Sequence, residues 1–406
     1  MKQIVIIGAS HAGITFADQL RSGGFEGSIT ILEKQVINPV EKPPLSKTFL
    51  DEDFSNSKIK FRPEKWFLDK FIDLKLGVEA KAILKEDNLV KISNGEEISY
   101  DYLVLASGAS ARNLPSKILQ NNKQFVLRDF NDALKLQNAL TEEKEVMIIG
   151  GGYIGLEIAS SLRKKGHKII VLEVAERLLA RVASPELSNY FLNLHQEHEV
   201  KISFGESINN IKEFDNKISI ETSDHKNYIA DLIIVGIGVS PEIGLAYEAG
   251  LDCDNGIVVD ANYRSSYSNI FAIGDCALNK DEYGIRIESV HHAQFSASRV
   301  SSCILGLEMP KYEEPWFWSD QYNVKLQSVG IIKDIKKTIS RNGRREGSKS
   351  WWSFNSDGLV AVEAVNDPQS YVVAKHILQN KIKVDEKQLS NNDFDLKEMI
   401  KNNVFI

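Results

Sequence analysis

The stretch Val146-Met-Ile-Ile-Gly150-Gly-Gly152-Tyr153-Ile154-Gly155-Leu-Glu157 decides how this chain is read, because an apolar strand breaks there into glycines and resumes as a helix. Gly150 permits a tight turn, Gly152 lets a pyrophosphate approach the backbone, and Gly155 lets the helix pack closely on the strand. The free amides and partial positive charge of the helix N-terminus favour that anion. The helix runs through Ile158 and Leu162 to Gly166, and a second apolar strand, Ile169-Ile-Val-Leu172, ends at Glu173, where an acid can bind a ribose 2′-OH.

The N-terminus carries a second copy. Gln3-Ile-Val-Ile-Ile7 leads into Gly8-Ala-Ser10-His11-Ala12-Gly13, a helix to about Arg21, and a strand Ile29-Thr-Ile-Leu32 ending at Glu33. Ser10 departs from the glycine pattern and offers a hydroxyl donor, which reads as an adjusted dinucleotide site. Each copy is followed by the same order of short strands and turns, closing with Tyr102-Leu-Val-Leu-Ala106-Ser-Gly108 in one half and Asp231-Leu-Ile-Ile-Val-Gly-Ile-Gly238 in the other. Gly77 lies 31 residues before Gly108, and Gly205 lies 33 before Gly238. Matching order and spacing predict two homologous nucleotide-binding domains.

At 406 residues the chain is too long for one core. No run approaches the ~18 apolar residues of a membrane span, and the first strand begins too early for a signal peptide, so the expectation is a cytoplasmic protein with no membrane partner. A net charge of −7 argues against nucleic acid. Cys253, Cys276 and Cys303 are isolated, which rules against a disulfide framework, a cysteine metal site and a redox-active dithiol. No metal site is expected.

Three further stretches carry chemistry or mimic it. Pro43-Pro-Leu-Ser-Lys47 is a stiffened loop presenting a lysine, and by composition alone that lysine reads as solvated surface. Asn269-Ile-Phe-Ala-Ile-Gly274-Asp275 is a buried strand delivering an acid at its carboxyl end, where open α/β sheets bind ligands. His291 and His292 are adjacent, point different ways and lack companion ligands, so they read as packing groups. From about Trp316 the chain reads as a smaller α+β domain. Its run from Lys333 to Lys349 sets Lys333, Lys336, Lys337, Arg341, Arg344, Arg345 and Lys349 against Asp334 and Glu346, a local +5 read as a solvated hairpin turning at Asn342-Gly343.

Gly8–Gly13, Pro43–Lys47, Gly150–Glu157, Gly274-Asp275, Arg286-Ile-Glu-Ser-Val290 and Pro315-Trp-Phe-Trp-Ser-Asp-Gln-Tyr322 together resemble the NADH-dependent ferredoxin reductases of oxygenase systems, over nearly the whole chain. The two proline-containing strings are the most specific. The resemblance implies an α/β, glutathione-reductase-like fold with two Rossmann-like dinucleotide-binding domains and a small α+β C-terminal domain. It implies FAD in a discontinuous first domain (1–112 and 240–315), NADH in the second (113–239) and an interface domain at 316–406. Carried over by position, Ala12, Lys47, Ala80, Arg128, Asp275 and Val290 fall where the family contacts FAD. Glu33 and Lys34 straddle the adenosine-ribose position. Lys47 is implied to lie beside the flavin and pair with Glu157, and Trp318 to lie on the electron exit side.

The candidate cofactor-binding positions are therefore Gly8, Ser10, His11, Ala12, Gly13, Glu33, Lys34, Lys47, Ala80, Ala106, Gly108, Arg128, Gly274, Asp275 and Val290 for FAD, and Gly150, Gly152, Tyr153, Ile154, Gly155, Glu173 and Gly238 for NADH. Lys47, Glu157 and Trp318 are the candidate catalytic residues. The implied activity passes electrons from NADH through FAD to a 2Fe-2S ferredoxin serving a haem monooxygenase or Rieske-type oxygenase, from a monomer or weak dimer. The alternatives are an NADH oxidase of the same fold, which would need a reactive cysteine early in the chain, and an NADH-sensing flavoprotein resembling apoptosis-inducing factor.

Overall fold

The computed structural model describes residues 1–51, 59–115, 123–282 and 284–401. The chain divides into two compact units: Met1–Glu41, Ser55–Ser110 and Val239–Glu313 form one, and Lys42–Phe54, Ala111–Gly238 and Glu314–Ile406 form the other.

The first unit is built on a five-stranded parallel sheet. Gln3–Ile7 (β1) lies between Ser28–Glu33 (β2) and Tyr102–Leu105, with Ile72–Leu76 and Ile270–Ala272 at the two edges. Ile4, Val5, Ile6, Ile29 and Ile31 are buried. Parallel strands covered on both faces need such continuous β-branched runs rather than alternation. The helix His11–Ser22 (α1) returns the chain from β1 to β2 and buries Ile14, Phe16, Ala17 and Leu20. A small antiparallel sheet, Ala80–Leu84, Leu89–Ile92 and Glu97–Ser99, completes the pattern.

The second unit repeats the plan. Glu145–Ile149 (β3), the helix Tyr153–Lys164 (α2) and Lys168–Glu173 (β4) form its βαβ element. β3 lies between β4 and Leu232–Val235, with Lys201–Phe204 and Gln124–Val126 outermost. The antiparallel strands Ile208–Phe214, Lys217–Thr222 and Asn227–Ala230 follow. Their first hairpin turns on Asp215 and Asn216, both at positive φ, as a two-residue turn matched to strand twist requires. The expected repeat is thus present strand for strand. The fifth strand comes from after the repeat in the first unit and from before it in the second.

The same unit carries an antiparallel five-stranded sheet, ordered from Trp316–Gln321 (β5) through Val324–Gly330, Gly358–Val365 and Lys349–Asn355 to Lys337–Asn342. The helix Pro368–Gln379 buries Tyr371, Val373, Ala374 and Ile377 with Trp352, Val362 and Val329 of this sheet. Leu326, Trp351 and Val365 instead cluster with Leu156 of α2 and with Leu187 and Phe191 of the helix Pro185–Glu197. The three central strands therefore feed two cores through their period of two.

The basic run departs from its reading as a solvated hairpin. Lys337–Asn342 pairs with Lys349–Asn355, and the connection spans residues 343–348 instead of turning tightly at Asn342-Gly343. Arg341 is buried and donates to the carbonyls of Leu389, Asn391, Asn392 and Phe394, because alternation turns it inward with Ile339. Lys337 pairs with Glu386 and Arg344 with Asp395. The local positive field is smaller than the sequence count suggests.

Candidate functional site

In the first unit the glycine loop leaves β1 with Gly8 at φ +110, and a Cβ there would collide with the Ala106 carbonyl. The Glu33 carboxylate closes the loop from β2: one oxygen accepts from Ala9 N–H (2.9 Å), the other from Gln35 N–H (2.9 Å). Lys34 is exposed, so of the two straddling residues it is Glu33 that joins the loop. Ser10 caps α1 without a side-chain cap bond. His11 is buried edge-to-face against Phe61 with centroids 4.9 Å apart. Gly13 packs under Gly8, and Ala12 packs against Gly274. Gly274 donates to Ser296 Oγ (3.0 Å), and Asp275 sits in the 3₁₀ turn Gly274–Cys276, its carbonyl accepting from Arg286. Val290 opens the helix Val290–Leu305 behind its cap Ser289. Ala80 is buried at the start of its strand, and Gly108 accepts from Glu242 N–H.

The second unit reproduces this geometry. Gly150 has φ +108, and a Cβ there would collide with the Gly236 carbonyl. Glu173 accepts from Gly151 N–H (2.6 Å) and Ala175 N–H (2.8 Å). Gly152 caps α2, and a Cβ there would meet nothing within 4 Å. Gly155 packs under Gly150, Ile154 is exposed, and Gly238 accepts from Arg112 N–H. The Tyr153 ring meets Phe317 at 4.6 Å, and burial pushes its phenol well up, helped by Glu363 and Glu157.

Neither Ser10 nor Gly152 makes a side-chain cap bond, so no cap side chain takes the first-turn amides of α1 or α2, and each acid already holds its own loop. Two helix N-termini whose cap residues make no side-chain bond, each behind an anchored acid, fit two dinucleotide diphosphates.

Lys47 is not a surface lysine. Its Nζ reaches Glu157 Oε2 at 2.8 Å, with the Glu157 side chain 2% exposed and that of Lys47 16%. The 3₁₀ turn Pro43–Ser46 makes this possible, since Ser161 of α2 donates to the Ser46 carbonyl and Ser46 Oγ donates to Glu157 Oε2 (2.5 Å). Ser319 of β5 donates to the other oxygen at 2.6 Å. Three donors converge on one buried carboxylate, two of them on the same oxygen. Ser46, Ser319 and Gln321 escaped the reading of the sequence. For Ser319 and Gln321 the signal is alternation, which turns both inward from β5 while Asp320 faces away. Trp318 is half-buried beside Trp316 (5.7 Å), and Arg128 precedes the capped helix Phe130–Ala139, its N–H donating to Asp132. The paired histidines pack: His292 bonds the Tyr263 hydroxyl and His291 meets Glu313.

Residues 2–297 match the model of the pyridine nucleotide-disulphide oxidoreductases, and residues 316–400 match a reductase C-terminal domain. The chain belongs to the pyridine nucleotide-disulphide oxidoreductase family. It is 36% identical to the rhodocoxin reductase of Rhodococcus erythropolis over 398 residues, covering 97% of this chain and 93% of that protein. It is 36% identical to the rubredoxin-NAD(+) reductase of Pseudomonas putida over 372 residues, covering 90% and 96%. The reductase in a crystal structure of a covalent putidaredoxin reductase–putidaredoxin complex superposes with a TM-score of 0.94 at 32% identity, covering 99% of this chain and 98% of that one. Within the family, this member is an FAD- and NADH-dependent oxidoreductase of the ferredoxin reductase type. Its three cysteines are free, and burial pushes the Cys253 and Cys276 thiols up, away from nucleophilic thiolates. Among the described residues no cluster could hold a metal ion, and no helix is long and apolar enough to cross a membrane.

Proposed function

We propose that this enzyme passes electrons from NADH through FAD to a 2Fe-2S ferredoxin that serves an oxygenase, acting as a cytoplasmic monomer or weak dimer. Residues 1–112 and 240–315 would bind FAD, 113–239 would bind NADH, and 316–406 would meet the ferredoxin. What supports this reading is the Lys47–Glu157 pair, its carboxylate buried, in a chain whose three isolated cysteines offer no dithiol of the kind a disulfide reductase needs. The likeness to rhodocoxin, rubredoxin and putidaredoxin reductases favours it over an oxidase or a sensor.

When bound, FAD supplies hydride acceptance and the release of electrons one at a time. The chain's own residues do the placing. Gly8–Gly13 and Gly150–Gly155 would receive the diphosphates on α1 and α2, and Glu33 and Glu173 would take the ribose hydroxyls. The Lys47 ammonium, held by Glu157, would favour negative charge on the reduced ring. Removing Lys47 would leave the buried Glu157 carboxylate with only Ser46 and Ser319 as donors and no opposite charge, at a cost of up to ~3–5 kcal/mol.

The test is anaerobic turnover with NADH against two acceptors. Transfer to an acidic 2Fe-2S ferredoxin should be fast and should fall with salt, while ferricyanide reduction changes little. A sensor would reduce slowly with either acceptor. Docking over the Trp318 face, steered by the exposed Lys333, Lys336 and Arg345, predicts that Lys336→Glu with Arg345→Glu lowers ferredoxin reduction alone. Equal losses with ferricyanide would move the docking surface elsewhere.

A further inference from the structure

Behind Glu157 runs a buried hydrogen-bond chain that the activity as described does not use. Glu157 Oε1 accepts from Ser319 Oγ (2.6 Å), Ser319 Oγ meets Gln321 Nε2 (3.2 Å), Gln321 Oε1 meets His195 Nε2 (2.8 Å), and His195 Nδ1 meets the Tyr322 hydroxyl (3.3 Å). Ser319, Gln321 and His195 are all at most 1% exposed. The chain joins α2, β5 and the helix Pro185–Glu197, all in the second unit.

Counting protons fixes its direction. Ser319 has one proton and Glu157 takes it, so towards Gln321 the serine must accept. The amide NH₂ therefore faces Ser319 and the amide oxygen faces His195. His195 must then carry its proton on Nε2 and accept from Tyr322 on Nδ1. The flipped amide would leave Ser319 one proton for two acceptors. Every link thus donates toward Glu157, whose second oxygen takes Ser46 and Lys47. The two carboxylate oxygens of Glu157 thus accept from three donors.

We propose that Ser319, Gln321 and His195 are positioning residues that act through Glu157, holding its carboxylate aimed at Lys47. This rests on the reading that the pair serves the flavin. The link from Tyr322 to Nδ1 needs a neutral His195, and burial, with His198 nearby, pushes its imidazole down to about 4, against the opposing bond from Gln321. The groups facing it are Gln321, Tyr322 and His198, whose ring stacks on Tyr322 at 3.7 Å. Those facing Glu157 are Lys47, Ser46, Ser319 and, more remotely, Tyr153.

The test uses histidine-¹⁵N-labelled holoenzyme and stopped-flow reduction by NADH. In wild type His195 should remain the neutral Nε2–H tautomer from about pH 5 to 8, where exposed histidines titrate. Gln321→Glu keeps the shape but replaces the donor amide with a second acceptor. It should protonate His195 at neutral pH, slow flavin reduction about ten-fold and move the pH midpoint of that rate upward, with NADH affinity unchanged within about two-fold. If that variant folds poorly, Ser319→Ala removes only the last donor and should give the same slowing with His195 signals unchanged. An Nδ1–H tautomer in wild type, a His195 that titrates with the exposed histidines, or wild-type rate and pH profile in either variant would overturn the proposal. Wild-type bleaching in Lys47→Ala would instead sink the flavin role of the pair and leave the tautomer result standing.

Discussion

The two βαβ elements are the same frame put to different uses. Gly8 and Gly150 turn at φ +110 and +108, each against a carbonyl of the neighbouring strand, and Glu33 and Glu173 each hold the loop by one oxygen and the residue two positions on by the other. The elements part at the fifth position of the helix, where α1 carries Thr15 and α2 carries Glu157. Thr15 is half-buried with no ion pair, whereas Glu157 is buried and collects Lys47, Ser46 and Ser319. The difference teaches that the glycine pattern provides a place for a nucleotide, and that one carboxylate added to that pattern gives the second element a charged centre.

The largest effects should come from the shared frame. Gly8→Ala and Gly150→Ala each force a side chain into positive φ and into a carbonyl, a strain of ~1–3 kcal/mol before the collision is counted. Both should lower the melting temperature by similar amounts. Gly8→Ala should lose FAD, while Gly150→Ala keeps FAD and loses NADH binding, as flavin absorbance and NADH titration would show. If both variants lose the same ligand, the frames do not have separate ligands.

Next in size is cofactor choice. A carboxylate accepting ribose hydroxyls contributes ~1.5–3 kcal/mol and repels a 2′-phosphate. Wild type should prefer NADH in kcat/KM, and Glu173→Ala should erode that preference at least about ten-fold, while Glu33→Ala leaves the ratio alone and weakens FAD retention. An unchanged ratio in Glu173→Ala would remove that acid from the ribose.

A smaller effect belongs to the second frame only. The loop after Glu173 is tied to the C-terminal sheet by Glu363, which accepts from Ser184 N–H and Oγ, and burial pushes this carboxyl up to about 7. The folded state then holds a proton that the unfolded chain releases near ~4.3, so this group's stabilisation is lost as pH rises from about 4 to about 7. Glu363→Gln should be flatter through that window and melt higher than wild type above it, by on the order of 5 °C. The smallest effect should be Ser10→Gly, which removes a cap residue without a cap bond and should change stability by only a few tenths of a kcal/mol in thermal unfolding.

What was legible in the sequence is what lies close along the chain. Both frames, their acids and the strand order after each are local patterns, and the folded sheets follow them. Lys47 was legible only through the family string Pro43–Lys47, because nothing near it in sequence says that Glu157, 110 residues on, will cover it. Ser319 and His195 lie farther still from their partners in sequence. Arg341 was misread although its signal was present: residues 337–342 alternate, and a base two positions from Ile339 must face the same way.

The most direct test of the account is anaerobic stopped-flow bleaching of the flavin by NADH in wild type and in Lys47→Ala, with Thr15→Ala as the matching change in the first frame. The account predicts that Lys47→Ala slows bleaching at least about ten-fold with NADH affinity held within about two-fold, and that Thr15→Ala bleaches like wild type. Superimposable traces for Lys47→Ala and wild type would contradict it.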